Sequence, residues 1–169
     1  MGVGTGRFAE VLGIADGVDT SLPMLRRAVG RRIRAVTGRA ESLPYVDSSF
    51  DGVLVALTIC FLDDARSALC ECARVLKEGS SLIVGMVPAD SPLGRFYRRK
   101  GQDGHPFYAI ANFHGCEQLV LMAGRAGFVL NDAMSCLLGS PHDPGEQIDA
   151  PRPGLDPEAG FVALRFCLG

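Results

Sequence analysis

Residues 2–8 read Gly2-Val3-Gly4-Thr5-Gly6-Arg7-Phe8, and residues 14–19 read Ile14-Ala15-Asp16-Gly17-Val18-Asp19. Three alternating glycines remove side chains where a backbone must pass close to a ligand. On its own such a triplet is also what a flexible N-terminal tail can carry. The second stretch is a short apolar strand that ends on a carboxylate. In a nucleotide-binding α/β fold, a carboxylate at that place accepts hydrogen bonds from a ribose diol. Two hydroxyls facing two carboxylate oxygens form a charge-assisted pair of fixed geometry. Asp19 also stands where it would cap a helix beginning near Ser21, and the two roles are compatible.

Outward from these stretches the apolar pattern changes period repeatedly. Ser21 and Pro23 mark a helix start, with Leu22, Leu25, Ala28 and Val29 on its inward face. Ala35 to Thr37 is a short strand. Phe50 to Ile59 reads FDGVLVALTI, and a run without alternation predicts a parallel strand covered on both faces. Asp63 and Asp64 open the clearest helix, with Ala65, Ala68, Leu69, Cys72, Ala73 and Leu76 on one side, Lys77 at its end and Gly79 beyond. Ser80 to Val87 is a second apolar strand, and Glu117 to Ala126 is a helix stopped by Gly127. Phe128 to Leu138 and Phe161 to Cys167 are two late strands with no helix between them, which predicts antiparallel pairing at one edge. Five prolines in residues 139–158 predict a long, flexible, irregular loop. Alternating strands and helices indicate an α/β protein: a Rossmann-like open twisted sheet, mostly parallel with an antiparallel edge strand, and helices on both faces.

The chain has 169 residues, 47% hydrophobic and 21% charged, with net charge -2. This predicts a single domain over 1–169. The charge argues against a generic nucleic-acid binder, although a nucleic-acid acceptor is not excluded by it. No apolar run reaches the roughly 18 residues of a membrane span, and the start does not read as a secretory signal. The expectation is a cytoplasmic protein. Six scattered cysteines without a C-x-x-C pair predict reduced thiols and no metal site.

The segments GVGTGRFA, GVDTSLPMLRRA, GRAESLPYVDSSFDGVLV and ECARVLKEGSSLIVGMV resemble successive motifs of class I S-adenosylmethionine-dependent methyltransferases, in particular the methyltransferase type 11 group. The resemblance covers residues 1 to about 88 and implies S-adenosyl-L-methionine as cofactor. By that resemblance Gly2, Gly4 and Gly6 pass beneath its methionine part. Asp19 holds the ribose hydroxyls, with Thr20 beside the adenine. Ala40 and Glu41 match the loop that receives the adenine edge, and Thr58 and Ile59 lie at the end of the family's fourth strand, near the reacting methyl. Two departures stand out. Arg39 occupies a position where family members often carry an acid. The family's first strand, with an acid two residues before the first glycine, precedes the glycine loop, whereas only Met1 precedes Gly2 here. The resemblance therefore implies a chain that starts after its central strand, with strand edges exposed on both sides; either the true start lies upstream or the polypeptide is an impaired remnant.

Methyl transfer to a soft or ionised nucleophile needs alignment rather than a catalytic side chain, while a protonated hydroxyl or amine gains from a general base. Candidates lie in residues 88–116, which hold His105, Tyr108, Phe113 and His114. His114 is the weak candidate for a chemical role; Tyr108 and Phe113 read first as packing and second as pocket wall. Arg26, Arg27, Arg31, Arg32 and Arg34 read as a solvated helix end. Arg95, Arg98, Arg99 and Lys100 flank the substrate segment. The expected function is methyl transfer to a small-molecule acceptor. The alternatives are a truncated binding module and, less favoured, an NAD-dependent oxidoreductase, which wants a third glycine where Arg7 stands.

Overall fold

The computed structural model describes residues 1–137 and 150–169; the greater part of the proline-rich stretch expected to be a flexible loop, residues 139–149, lies outside the described residues. A short helix α1 (Arg7–Val11) follows the glycine turn. Next come β1 (Asp16–Asp19), α2 (Leu22–Gly30), β2 (Arg34–Thr37) and β3 (Phe50–Ala56). After a 3₁₀ turn (Ile59–Phe61) come α3 (Ala65–Val75), β4 (Leu76–Met86), α4 (Pro92–Gln102), α5 (Cys116–Arg125), β5 (Phe128–Cys136), β6 (Arg152–Pro153) and β7 (Phe161–Leu168).

The α/β expectation is met. β1 and β2 pair in parallel, as do β3 and β4. β7 inserts antiparallel between β4 and β5, so the two late strands do pair antiparallel, with the β5 edge carrying the short β6. The strands form two sheets, β1-β2 and β3-β4-β7-β5-β6. The main core lies on the larger sheet, where Leu82, Val84, Leu164 and Phe166 pack against Leu69 and Cys72 of α3 and Leu119 and Ala123 of α5. All eight are fully buried, and burial on this scale is what holds the sheet to its helices.

Between the two sheets lies a cavity of about 280 Å³, lined by Val3, Asp16 to Val18, Asp51 to Leu54 and Tyr45. β1 and β3 each have one strand partner, and their other edges border this space. Residues 1–3 bridge it in part: the Met1 ammonium donates to the Leu54 carbonyl at 2.8 Å, and the Val3 amide donates to the Val18 carbonyl at 3.0 Å.

Three expectations need correction, and one helix was not foreseen. β3 is not covered on both faces; only Val55 is buried along it, because β3 is the edge of its sheet. Leu22 and Val29 are 58% and 57% exposed, since α2 rests on a pair of strands too narrow to cover its wider apolar face. Leu76 opens β4 rather than closing α3, and Val75 takes the last buried helical position. Residues 88–116 contain a full helix, α4, capped by the buried Ser91, whose hydroxyl oxygen accepts from the Gly94 amide at 3.0 Å.

Candidate functional site

The site starts at the opening turn. Gly2, Gly4 and Gly6 all have positive φ, at +64°, +54° and +81°. The left-handed region is open to glycine at little cost and strains other residues. A Cβ at Gly2 would stand 2.2 Å from Thr58 Oγ1, so the glycine lets the turn rest on the end of β3. A Cβ at Gly4 would meet nothing within 4 Å. Gly6 plays another part: it starts α1 and fits against Ala28 of α2.

Asp19 ends β1 and turns its carboxylate to this loop. Oδ2 accepts from the Gly4 amide at 2.8 Å and Oδ1 from the Ser21 amide at 2.9 Å. Asp19 thus bonds the glycine turn and the start of α2 together, one backbone donor to each oxygen. Each oxygen keeps further acceptor capacity. The Ser21 hydroxyl makes no cap of its own; the aspartate at the preceding turn serves that end of the helix.

The loop after β2 adjoins the same point, because the Gly38 amide donates to the Asp19 carbonyl at 3.1 Å. Thr20 is exposed beside it and Ala40 is buried. Glu41 faces the start of α3: Oε1 accepts from the amides of Asp63 and Asp64 at 3.1 and 3.3 Å. Arg39, in the place of the family's acid, bonds Asp63 at 2.6 Å. Further along, Arg74 of α3 fastens this loop by donating to the carbonyls of Leu43 and Tyr45 and to Asp47 and Glu71. Glu71 accepts in turn from the Leu43 amide at 2.7 Å. These bonds hold the Glu71 carboxyl below its ordinary value, the Arg74 guanidinium contributing most.

Beyond β3 the chain bends sharply. Leu57 has φ +53°, strained for a side chain of its size, and donates to the Gly85 carbonyl at 2.8 Å. Thr58 Oγ1 donates to the Ala56 carbonyl, and Ile59 turns into the core. Leu57 and Ile59 also line a second cavity, of about 330 Å³, walled by Phe61, Tyr97, Phe107, Tyr108 and Phe113. His114 lines it as well and is 5% exposed. Burial lowers the His114 pKa, against the opposing effect of a hydrogen bond to the Gln118 side chain. Cys60, on the same wall, is pushed up to about 11 by burial, which keeps it a thiol.

The structure therefore gathers Gly2, Gly4, Asp19 and Thr58 at the carboxyl edge of the strands, with the 38–40 loop beside them. It turns Gly6 toward α2, Glu41 toward α3, and buries Ile59. Tyr108 and Phe113 are cavity wall. The sequence reading missed Phe61, Tyr97 and Phe107 as wall residues. The Ser91-Pro92 helix start would have placed Tyr97 on a helix, but which rings converge depends on tertiary packing.

Three comparisons bear on this geometry. The family model described as "Methyltransferase domain" matches residues 1–84. Among solved structures, an S-adenosylmethionine-dependent methyltransferase of Thermotoga maritima, titled a possible histamine N-methyltransferase, is similar at 39% identity and a TM-score of 0.93, covering 100% of this chain and 80% of that one. An uncharacterised protein of Mycobacterium tuberculosis is 35% identical over 97% of this chain and 58% of its own length. A demethylmenaquinone methyltransferase of Roseiflexus castenholzii is 36% identical over 57% of this chain and 45% of its own. The chain spans less than two thirds of the length of these two curated relatives.

Proposed function

The chain belongs to the S-adenosylmethionine-dependent methyltransferases, and from that premise we propose that it moves a methyl group to a small-molecule acceptor at the carboxyl edge of its strands. The observation that carries the reading is the Asp19 carboxylate, bonded to Gly4 and Ser21 with acceptor capacity left over. That geometry suits a ribose diol, since each oxygen can take one hydroxyl in addition to its backbone donor. The glycine turn suits the methionine end: nothing stands within 4 Å of where a Gly4 Cβ would lie, so there is room beside the backbone.

S-adenosylmethionine supplies, when bound, a methyl already activated on a sulfonium. What remains for the chain is alignment and exclusion of water. In this reading Gly2 and Gly4 line the methionine end and Asp19 the ribose. Thr20 and Ala40 flank the adenine. Glu41 acts through the backbone of its loop, because its carboxylate is engaged with Asp63 and Asp64. Thr58, and Ile59 behind it, mark where the methyl meets the acceptor cavity. Of these residues only Gly2 lines the cavity between the two sheets; Asp19 and Thr58 do not.

The test is calorimetric titration with S-adenosylhomocysteine. The protein is expected to bind it, and Asp19→Ala to weaken binding by about 1–3 kcal/mol, the cost of leaving polar partners unsatisfied. Unchanged affinity in a folded Asp19→Ala protein would remove Asp19 from the site. No binding to the parent chain would sink the reading.

A further inference from the structure

The second cavity has a composition of its own. Its rings form a continuous wall: Tyr97 stacks on Tyr108 at 4.5 Å, Phe107 meets Phe61 at 4.6 Å and Tyr108 edge-on at 5.5 Å, and Phe113 lies 6.2 Å from Tyr97. Among the described residues that line it there is no Asp, Glu, Lys or Arg. A charged ligand entering would lose its hydration without a counter-charge, whereas a flat neutral one would meet aromatic faces on several sides. The volume, about 330 Å³, is at the small end of ligand pockets.

Within this apolar wall one polar group lacks a partner. His114 Nδ1 is buried and makes no hydrogen bond. A hydrogen bond to the Gln118 side chain favours the protonated ring, as a donating N–H does, and we assign that N–H to Nε2. That tautomer leaves Nδ1 as a bare acceptor. The ring is held in place from behind: the His114 carbonyl accepts from the Ala89 amide at 2.9 Å, and Asn112 donates its amide to the Cys60 carbonyl at 2.7 Å, tying the segment to the turn after β3. Buried polar groups are nearly always satisfied, so an orphan nitrogen on a residue that lines the cavity points to a donor that arrives with a ligand.

We propose that the acceptor is a neutral, flat, largely apolar molecule bearing one hydroxyl, phenolic in type, and that His114 Nδ1 receives that hydroxyl's proton. The proposal rests on the methyltransferase reading above and specifies its acceptor. The acceptor oxygen attacks the methyl carbon and a carbon–oxygen bond forms. The carbon–sulfur bond breaks to leave a neutral thioether, and the hydroxyl proton passes to Nδ1. The products are a methyl ether and an imidazolium, so the positive charge moves from sulfur to the ring. The depressed His114 pKa agrees with a ring that is neutral, and thus able to accept, near neutral pH.

The probes are 2-naphthol, naphthalene, 2-naphthoate and naphthalen-2-ylmethylammonium, titrated into the full chain with and without saturating S-adenosylhomocysteine. Binding is followed by naphthalene fluorescence, which no tryptophan of the protein obscures. The expected result is 2-naphthol at least about tenfold tighter than either charged isostere and than naphthalene, equivalent to about 1.4 kcal/mol. His114→Gln and His114→Phe are expected to erase the preference of 2-naphthol over naphthalene while retaining naphthalene. The His114 ring nitrogen resonances of the parent are expected to move with 2-naphthol and not with naphthalene. Equal affinity of the parent for 2-naphthol and naphthalene, or tighter binding of the ammonium or the carboxylate, overturns the proposal without recourse to any variant. Failure to bind S-adenosylhomocysteine defeats the methyl-transfer reading separately, because the probe series is also read in its absence.

Discussion

Two glycines of the opening turn, alike in sequence, have unlike reasons for being glycine. Gly2 has a positive φ and Thr58 Oγ1 where its side chain would be; Gly4 has a positive φ and open space. Replacement by alanine costs each about 1–2 kcal/mol for the left-handed backbone, and Gly2→Ala adds a collision with Thr58. Gly2→Ala is therefore expected to lose more stability in urea unfolding than Gly4→Ala, and equal losses would mean that the end of β3 gives way freely. The sequence made the spacing of the turn and the carboxylate of Asp19 legible, and their meeting is the Gly4–Asp19 bond. It left the Thr58 contact illegible, because that contact joins residues far apart in the chain. His114 was legible as one histidine among three; the orphan nitrogen that sets it apart depends on what Gln118 and the aromatic wall do in space.

At the scale of elements, the helices were readable where the apolar face is long and buried and obscure where it is short. α3 alternates cleanly and Asp64 caps it, accepting from the Arg66 and Ser67 amides. α4 buries only Gly94 completely, and its apolar stripe is a short one, Leu93, Phe96 and Tyr97, opposite the exposed Arg95, Arg98, Arg99 and Lys100. Its Ser91-Pro92 start was the available signal. α3 also anchors the loop after β2 through Glu71 and Arg74. Because the folded Glu71 carboxyl lies below its ordinary 4.5, its contribution is complete above that value and disappears as pH falls through the depressed one. Between about pH 7 and about pH 3 the parent chain is thus expected to lose more stability than Glu71→Gln. Unfolding midpoints measured at both ends check this, and parallel losses would show that the Glu71–Arg74 pair does not hold the loop. The pair is partly solvent-exposed, which limits the size of the difference.

At the scale of the molecule, the α/β class and the order of elements followed from the alternation of strands and helices, while the division into two sheets did not. An apolar run such as Val53 to Leu57 promises burial, yet whether a strand is central or at an edge is decided by its neighbours, and β3 has one. The division has a measurable signature. Native-state hydrogen exchange is expected to find the β4–β7 amides protected up to global unfolding and the β1–β2 amides released by smaller openings. Uniform protection across both sheets would show that they unfold as one body.

In the proposed reading the two sheets contribute to one ligand site, since Asp19 comes from the smaller and Thr58 follows the edge strand of the larger. Gly2 and Gly4 touch one each, so the opening turn is a rivet through a seam. A ligand laid along it would clamp both plates, and its affinity would include the work of keeping them shut. Substitutions that loosen the seam far from the rivet should then weaken the ligand without touching it, and the ligand should in turn protect the smaller plate from opening.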